Sequence, residues 1–236
     1  MGAFGGPNMV ENGLVFVADA GNTQCYIDGS ATGKDLARGN TLTCTNTELS
    51  SEGNGSWDFD GTDDFVSGPS LTDLGMAATN LMTCMFWFKS DGAPANGSDG
   101  WVGCSNSTGW ATGFGLVYYG GCRFYVDRYN SNYAIGAMST SDAQNWNHYV
   151  GVYDGTLGSA NLKVYVNGVL GGTTGNWTSN LDGITTGIQI GRVQPANNYQ
   201  GDGWYTNVLL YNKALTQAEV TQNYTATKDR FGLWYL

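Results

Sequence analysis

Residues 183–224 read GITTGIQIGRVQPANNYQGDGWYTNVLLYNKALTQAEVTQNY, and this stretch decides the fold of the chain. It contains two strand-like runs, Ile188–Gly191 and Trp204–Tyr211, which a loop rich in glycine and asparagine separates. A short helix over Gln217–Gln222 is predicted to follow. Because the rest of the chain is rich in strands, we expect this helix to close a sandwich of two sheets.

The start of the helix carries the clearest local signal in the sequence. Thr216 lies three residues before Glu219. At this spacing a hydroxyl N-cap and an N3 carboxylate satisfy each other's free backbone N–H groups. Leu215 and Val220 add the apolar contact of a hydrophobic staple. The pattern therefore predicts a capped helix that begins at Gln217.

The rest of the chain alternates between short apolar or alternating runs and turn signals, which is typical of strands. Two-residue hairpin turns are expected at Gly120-Gly121 and at Asn167-Gly168, because these residues adopt positive φ easily. Leu81–Lys89 is the densest apolar run of the chain and is predicted to be a central strand covered on both faces. Thr23–Gly55 is loop-like. The further predicted strands are Leu14–Ala18, Thr41–Thr45, Ser56–Phe59, Phe65–Ser67, Gly100–Cys104, Gly113–Tyr119, Cys122–Asp127, Trp146–Asp154, Leu162–Val166 and Val169–Leu170.

This pattern predicts an all-β fold, a two-sheet antiparallel jelly-roll sandwich with one short C-terminal helix. The chain has 236 residues, with 13% aromatic and 13% charged residues. A disordered chain would have few aromatic residues and many charges. All-β sandwiches of about 200–250 residues often form one domain. We expect an N-terminal arm over 1–12, the domain over 13–226 and an apolar tail over 227–236.

Charge and cysteine usage exclude several classes of function. The net charge of −10 comes without a basic cluster, which argues against nucleic-acid binding. No segment approaches the roughly 20 apolar residues of a membrane span, and the N-terminus lacks the pattern of a secretory signal. The five cysteines have no C-x-x-C spacing and are predicted to be reduced and buried. They are Cys25, Cys44, Cys84, Cys104 and Cys122.

Several segments in order resemble the concanavalin A-like lectin/glucanase superfamily, in its laminin-G-like, pentraxin-like branch. They are FDGTDDFV at Phe59–Val66, the W-x-H…Y-D-G run at Trp146–Gly155, KVYVNG at Lys163–Gly168, and the run from IGR to the capped helix at Ile190–Val220. The resemblance extends from about Leu14 to Tyr224. It implies a concanavalin A-like jelly roll.

The two ends of the chain are also similar to stand-alone proteins of this fold from marine tailed bacteriophages. The similar segments are GPNMVENGLVFVADAGN at 6–22 and NYTATKDRFGL at 223–233. The resemblance implies a non-catalytic protein of the virion surface, as a capsid decoration or a tail or fibre component, assembled in the host cytoplasm. Its partners would be copies of itself and other virion proteins. The alternative is a carbohydrate-binding module that attaches to host surface glycans.

Hydrolases of this superfamily place two glutamates on one strand in an E-x-D-x-E arrangement, because their chemistry needs two carboxylates roughly 5 Å apart. The chain has no such strand. Its four glutamates lie in the arm, in a loop and in the first turn of the helix: Glu11, Glu48, Glu52 and Glu219. We therefore expect no enzymatic activity. The lone His148 follows Trp146 on a predicted strand and is interpreted as a structural residue.

Calcium is the candidate cofactor. Relatives of this branch often bind it at the rim of the sandwich through Asp and Asn oxygens, as a hard cation requires. The corresponding candidates here are Asp60, Asp202 and Asn207. Many relatives have an aspartate at the position of Asn207, and an amide keeps the oxygen but loses the charge. The alternative, that these residues cap turns, stays open.

Aromatic residues in loops are the candidates for sugar contact, because an aromatic ring can stack on a pyranose. Trp110, Trp177 and Tyr199 lie in loops rich in glycine and asparagine. The alternative is that these rings have no function, since aromatic-rich sandwiches scatter such residues.

The chain ends contain the candidates for assembly contacts. An exposed apolar tail forgoes roughly 1.5–3 kcal/mol of burial per large side chain. The tail therefore either folds back on its own sheet or docks on a neighbouring subunit, and docking is favoured because the resemblance implies a multi-copy protein. The candidate residues are Phe4, Phe231, Leu233, Trp234 and Tyr235.

Overall fold

The computed structural model describes residues 8–94, 99–105, 112–126, 133–136, 140–181, 186–193 and 199–233. Within these ranges the chain forms two eight-stranded sheets, and every strand pair in them is antiparallel. Trp110 and the candidates Phe4, Trp234 and Tyr235 lie outside the described residues. The predicted all-β sandwich is confirmed.

The first sheet, sheet A, has the order β14-β13-β12-β7-β16-β5-β4, and β1 also pairs with β16. Its central strand β7 lies between β12 and β16. The strands of sheet A are β1 (Leu14–Ala18), β4 (Glu48–Ser50), β5 (Ser56–Asp60), β7 (Leu81–Ser90), β12 (Asn147–Asp154), β13 (Leu162–Val166), β14 (Val169–Thr174) and β16 (Asp202–Tyr211).

The second sheet, sheet B, has the order β11-β10-β9-β8-β15-β6-β3-β2. Its strands are β2 (Thr32–Lys34), β3 (Thr41–Thr45), β6 (Phe65–Ser70), β8 (Asp99–Cys104), β9 (Phe114–Tyr118), β10 (Cys122–Val126), β11 (Tyr133–Gly136) and β15 (Gly187–Ile190). Two α-helices, α1 (Thr140–Ala143) and α2 (Gln217–Thr227), and two 3-10 turns at Glu52–Asn54 and Lys228–Phe231 complete the described elements.

Aromatic side chains fill the space between the sheets, because alternate residues of each strand point inward. Phe88 of β7 lies 4.4 Å from Tyr205 and 5.0 Å from Trp101, measured between ring centroids. Trp101 of sheet B lies 4.6 Å from Tyr149 of sheet A. All four rings are fully buried, so the two sheets are held by one continuous aromatic core.

Helix α2 lies on the outer face of sheet A. Val220 and Leu215 pack there with Met85 of β7 and Leu209 of β16 in a second apolar cluster. Leu81–Lys89 was predicted to be covered on both faces, and this is confirmed, since Met85 faces the helix while its neighbour Phe86 faces the inner core. The helix thus covers one sheet from outside and does not plug the sandwich.

The capping box is present. The Glu219 N–H donates to Thr216 Oγ1 over 3.3 Å, and the Thr216 N–H donates to the Glu219 carboxylate over 2.9 Å. The helix is longer than predicted and ends at Thr227, because Asn223 is buried in it and Tyr224 stacks at 5.8 Å on Trp87. These tertiary contacts offset weak helix propensity.

Short elements are the ones that sequence reasoning missed. Strands β2 and β4 lie inside the predicted loop Thr23–Gly55, and each has three residues without a buried side chain. Strand β11 and helix α1 have four residues each and were also missed. Such elements carry too few residues for a periodic pattern.

The five cysteines are free and buried, as predicted. Burial raises the pKa of Cys25 and of Cys44 to about 11 and that of Cys104 to about 12. These thiols are therefore protonated at neutral pH and serve as small apolar groups. Among the described helices, none has the length and apolarity needed to cross a membrane.

Both described ends of the chain pack on sheet A. The Val10 N–H donates to Asn223 Oδ1 over 2.8 Å, and its carbonyl accepts from the Tyr211 hydroxyl over 2.9 Å. At the other end, Phe231 is 9% exposed and stacks on Trp87 with ring centroids 4.0 Å apart. Phe231 thus folds back on its own sheet, because Trp87 offers it an apolar surface, and docking of the tail on a neighbouring subunit stays a prediction.

Candidate functional site

The predicted calcium residues do not form one site. Asp60 and Asp202 are directly opposite each other on β5 and β16. Asn207 lies five residues further along β16, about 16 Å away at roughly 3.3 Å per residue. It sits in a bulge with a φ of 51° and is 6% exposed. The set Asp60, Asp202 and Asn207 therefore does not fit a single cation, because the strand separates its members.

A different set of carboxylates does come together. Oxygens of Asp60, Asp63 and Asp64 lie within 4.8 Å of one another in the turn between β5 and β6. The Asp60 N–H donates to Asp64 Oδ2 over 2.9 Å, and the Thr62 N–H donates to Asp60 Oδ1 over 2.8 Å. Burial raises the pKa of Asp64. These oxygens fit a hard cation better than the predicted set, but their bonds to backbone N–H groups already explain them as caps of the turn.

Of the predicted sugar-contacting residues, Trp177 and Tyr199 lie within the described ranges. Trp177 is half-buried and packs against the inner core, and its carbonyl accepts hydrogen bonds from the Tyr153 hydroxyl and from Asn161. Tyr199 is half-buried just before β16. Its carbonyl oxygen lies so close to Gly100 that a Cβ there would be 2.7 Å away. Through their backbone carbonyls, both residues thus contact neighbouring parts of the same chain.

The described residues instead form an open groove with about 360 Å³ of space beside the C-terminal turn, on the outer side of sheet A. We call it the terminal groove. Small-molecule sites have volumes of about 300–1,000 Å³, so it is large enough for one small ligand. Its lining residues are Ser51, Glu52, Gly53, Asn54, Trp146, Arg230, Phe231 and Gly232.

Arg230 holds the walls of the terminal groove together. Its Nη1 donates to both carboxylate oxygens of Asp19 over 2.8 Å. Its Nε donates to the Gly53 carbonyl over 2.7 Å, and its Nη2 donates to the Gly55 carbonyl over 2.6 Å and to Thr206 Oγ1 over 3.0 Å. A guanidinium matches such a set because its donors form a rigid fork. Arg230 therefore fixes the loop before β5 against the end of the chain.

Aromatic rings form the floor of the groove. Phe231 lies between Trp87 and Trp146, with ring centroids 4.0 Å and 4.8 Å apart. Gly53 lies directly on this floor with a φ of 56°, and a Cβ there would be 2.7 Å from Trp146 Cζ2. Glycine is needed at this position for both the space and the backbone conformation. Trp146 itself is half-exposed toward the groove.

Glu52 supplies a carboxylate to the groove. Its Oε2 accepts from Lys89 Nζ over 3.1 Å and from Trp146 Nε1 over 3.4 Å. Its side chain is 41% exposed, and its Oε1 has no hydrogen-bond partner in the part of the chain that the structure describes. The carboxylate is thus oriented by two donors and can still accept from a ligand.

Sequence reasoning missed this groove, although one signal was available for Trp146. The outward-facing residues of β12 recur at every second position, Val150 and Val152 among them. The same parity places His148 and Trp146 on the outer side of sheet A. Segments 51–54 and 230–232 carried no comparable signal, because only the Arg230 contacts bring them together.

His148 lies below the groove and is a structural residue, as predicted. It is fully buried, and its ring lies 5.2 Å from Trp87 and 5.9 Å from Tyr224 between centroids. Neither ring nitrogen has a hydrogen-bond partner within the described ranges. Burial lowers the pKa of His148 to about 3, so the imidazole is neutral at physiological pH.

Solved structures share this fold. Domain 4 of AbnA, a GH43 extracellular arabinanase from Geobacillus stearothermophilus in complex with arabinotriose, matches with a TM-score of 0.66 at 16% identity, over 91% of this chain and 99% of that one. Trypanosoma rangeli sialidase in complex with the inhibitor DANA matches with a TM-score of 0.66 at 16% identity, over 92% of this chain and 33% of the sialidase. The same sialidase with sialic acid gives 0.65, at 16% identity and the same coverage.

These identities show the fold alone, and this chain spans a third of the sialidase. No curated protein matches the chain in sequence. The family model of the concanavalin A-like lectin/glucanases superfamily, in its laminin G form, matches residues 60–221. This range covers most of sheet A, all but the first two strands of sheet B, and the start of α2. The chain therefore belongs to the concanavalin A-like lectin/glucanase superfamily.

Proposed function

We propose that this protein is a non-catalytic carbohydrate-binding module whose sugar site is the terminal groove. The observation that carries the proposal is the meeting of a half-exposed tryptophan, Trp146, with the oriented carboxylate of Glu52 in one open groove. A protein that binds a sugar needs an apolar ring for the C–H face and polar atoms for the hydroxyls. The groove offers both.

Asn54 adds a further acceptor at the rim. Its Nδ2 donates to the Arg230 carbonyl over 2.9 Å, which orients the amide and leaves Oδ1 for a ligand hydroxyl. Asn54 is exposed and has a φ of 56°. Glu52 Oε1 and Asn54 Oδ1 thus give two acceptors beside Trp146. Groups held in place before binding lose less entropy when the ligand arrives.

The comparisons support the same class of ligand. Domain 4 of AbnA was solved with arabinotriose, and nearly the whole of that domain matches this chain. Because the identity is low, the ligand of that domain does not transfer to this one. The choice of a sugar therefore rests on the groove, and the comparison adds that a domain of this fold and size binds one.

Binding without hydrolysis is proposed because of the carboxylates. Glycoside hydrolysis requires two carboxyl groups, about 5 Å apart in retaining enzymes and more in inverting ones. Among the described lining residues, only Glu52 carries one. The nearby Asp19 carboxylate accepts hydrogen bonds from Arg230 Nη1 at both of its oxygens, each over 2.8 Å, and so has a structural role. Glu52 is therefore proposed to bind a ligand and not to cleave it.

A second proposal is that the module is carried on the surface of a bacteriophage particle, as a decoration, tail or fibre component, with itself and other virion proteins as partners. It rests on the resemblance of segments 6–22 and 223–233. Their described parts meet in the structure, where the Val10 N–H donates to Asn223 Oδ1 over 2.8 Å. Gln222, just before the second segment, donates from Nε2 to the Asn8 carbonyl over 2.6 Å. On a particle, the groove would serve attachment to host glycans. Light scattering of the purified protein tests the self-association that this role needs, and a strict monomer at high concentration would count against it.

The sugar site is tested by a glycan array that includes arabinotriose and sialyllactose, followed by titration calorimetry with each hit. We expect Trp146→Ala to weaken binding at least tenfold and Glu52→Gln to weaken it severalfold. The matched control is Glu48→Gln, which removes the same charge from the exposed edge strand β4 and should leave binding unchanged. A wild-type protein that binds no glycan, or variants that stay folded and bind as well as wild type, would reject the groove as the site.

A further inference from the structure

The outer face of sheet B carries an arginine held between two tyrosine rings. Arg123 lies on β10, opposite Val117 of β9 and Ile135 of β11. Its neighbours Cys122 and Phe124 point into the inner core, so the alternation of the strand turns Arg123 outward. Strands β9 and β10 are joined by the predicted Gly120-Gly121 turn.

The arginine side chain is fixed by stacking. Its guanidinium carbon lies 4.3 Å from the ring centroid of Tyr119 and 4.7 Å from that of Tyr133. Its Nη1 lies 3.4 Å from the Tyr125 hydroxyl, a long hydrogen bond. Tyr119 is 50% exposed, and Tyr133 is half-exposed. An arginine stacked in this way has lost most of its rotamer freedom before any ligand binds.

Arg123 has no counter-ion in the described part of the chain. The ion pairs described there involve Lys89, Lys213 and Arg230. The contacts of Arg123 are two rings and one phenol, and its Nε is buried without a hydrogen-bond partner. The chain as a whole carries a net charge of −10. In such an acidic protein, many carboxylates could pair with Arg123, yet none of the described ones does.

We propose that Arg123, Tyr119 and Tyr133 form a second binding site, distinct from the terminal groove, for an acidic sugar unit. Because Nε is buried, the two Nη groups are the donors through which the guanidinium can meet a ligand, and their spacing matches the two oxygens of a carboxylate or sulfate group. The exposed tyrosine faces offer a surface for the C–H groups of the sugar ring. The anion gives specificity, and the rings select a sugar over a free inorganic anion.

The site lies on the opposite sheet from the groove, so the two can be tested separately. The probes are tri-galacturonic acid, a sulfated galactose trisaccharide and neutral galactotriose, each titrated into the wild-type protein. We expect at least one of the two acidic probes to bind at least tenfold more tightly than the neutral one. Which of the two binds more tightly identifies the anion as carboxylate or sulfate. Failure of both acidic probes to bind, or equal binding of the neutral one, would overturn the proposal.

Variants then locate the site. Arg123→Gln should weaken the acidic probe at least tenfold, and Arg123→Lys should restore only part of the loss, because an ammonium lacks the paired donors. Arg38→Gln removes the same charge from an exposed arginine that donates to the Leu74 carbonyl, and it should bind like wild type. Equal losses from the Arg38 and Arg123 variants would show general charge attraction and would reject the site.

A variant that keeps the arginine protects the test against misfolding. Tyr119→Ala removes a half-exposed ring and should leave the melting temperature close to wild type while weakening the acidic probe severalfold. The glycan bound in the terminal groove should be unaffected by each of these variants. Unchanged affinity for the acidic probe in a folded Tyr119→Ala protein would overturn the proposed site, because its most exposed ring would then contribute nothing.

Discussion

The outer faces of the two sheets are built on different principles. Sheet A presents apolar residues on both sides, and helix α2 and the C-terminal turn cover its outer side. The outer side of sheet B carries a small cluster of Val117, Tyr125 and Val193, with Tyr133 against it. Glycine leaves room for Val193, since a Cβ on Gly103 would lie 2.8 Å from the Val193 Cβ. The cover contributes stability to sheet A, whereas the outer side of sheet B leaves Tyr119, Tyr133 and Arg123 at least partly exposed to ligands.

The largest effect is expected from removing the ring of Phe231, which covers the outer side of sheet A near the end of the described chain. Phe231→Ala should lower the free energy of unfolding by about 3–4 kcal/mol, because it deletes a buried ring that stacks on Trp87 and Trp146. Urea denaturation measures the loss. The counterpart on sheet B is Tyr119→Ala, which should change the stability by no more than about 0.5 kcal/mol because the ring is half-exposed. Similar losses for both variants would contradict the contrast between the two faces.

The second-largest effect concerns Arg230, whose hydrogen bonds fix the C-terminal turn to the loop before β5. Arg230→Ala removes the paired charge of Asp19 and the guanidinium donors to the Gly53 and Gly55 carbonyls. Breaking such a largely buried pair should cost about 3 kcal/mol. Arg38→Ala, an exposed arginine with one backbone contact, is the control and should be nearly neutral. If both variants melt at the wild-type temperature, the described contacts of Arg230 do not stabilise the groove.

The third effect is a pH dependence of stability caused by His148, which is buried on the covered side of sheet A. Burial lowers the pKa of His148 from 6.5 to about 3, so the unfolded chain binds a proton that the folded chain does not accept. Stability should therefore be unaffected by this group above pH 6.5. Below it, stability should fall by about 1.4 kcal/mol per pH unit until about pH 3.

The variant His148→Phe isolates this contribution, because phenylalanine keeps an aromatic ring against Trp87 and Tyr224 without a titrating group. Unfolding measured at pH 7 and pH 5 should show about 2 kcal/mol less loss in the variant than in wild type, the expected share of one group over 1.5 pH units. An identical pH dependence in the two proteins would mean that His148 is protonated without cost in the fold.

The smallest effect concerns the start of the covering helix. Thr216→Ala should cost about 1 kcal/mol, because the Glu219 N–H loses its acceptor. Thr225→Ala, within the same helix, serves as the comparison and should be neutral or slightly stabilising, because alanine is the better helix former. Thermal melting curves detect the difference. A cap variant as stable as the Thr225 variant would show that packing alone fixes the helix.

Local signals predicted most of the fold. The Thr216–Glu219 box, the Asn167-Gly168 turn and the predicted strand Ser56–Phe59 each involve residues close in sequence, and each is present in the structure. The end of α2 was misplaced because it depends on Tyr224 resting on Trp87, a contact between residues far apart in the chain.

The candidate site was harder to predict for the same reason. The terminal groove joins segments 51–54, 146 and 230–232, and no pattern in any one segment reports the other two. The predicted cation set does not form one site because Asn207 was chosen by resemblance to relatives. The register of β16, which separates Asn207 from Asp60 and Asp202, could not be seen in the sequence. Arg123 was not singled out, because stacking between Tyr119 and Tyr133 appears only once β9, β10 and β11 are aligned.

The packing of both described ends on sheet A has a consequence for orientation. Asn8 is bonded to Gln222 of helix α2, and Gly232 borders the groove on the same side of the molecule. A solid support linked to the protein at Asn8 or at Gly232 would therefore lie beside sheet A. The outer face of sheet B, with Arg123 at its surface, would then point away from the attachment. A protein immobilised at either position would expose the outer face of sheet B and would hold the outer face of sheet A against the support.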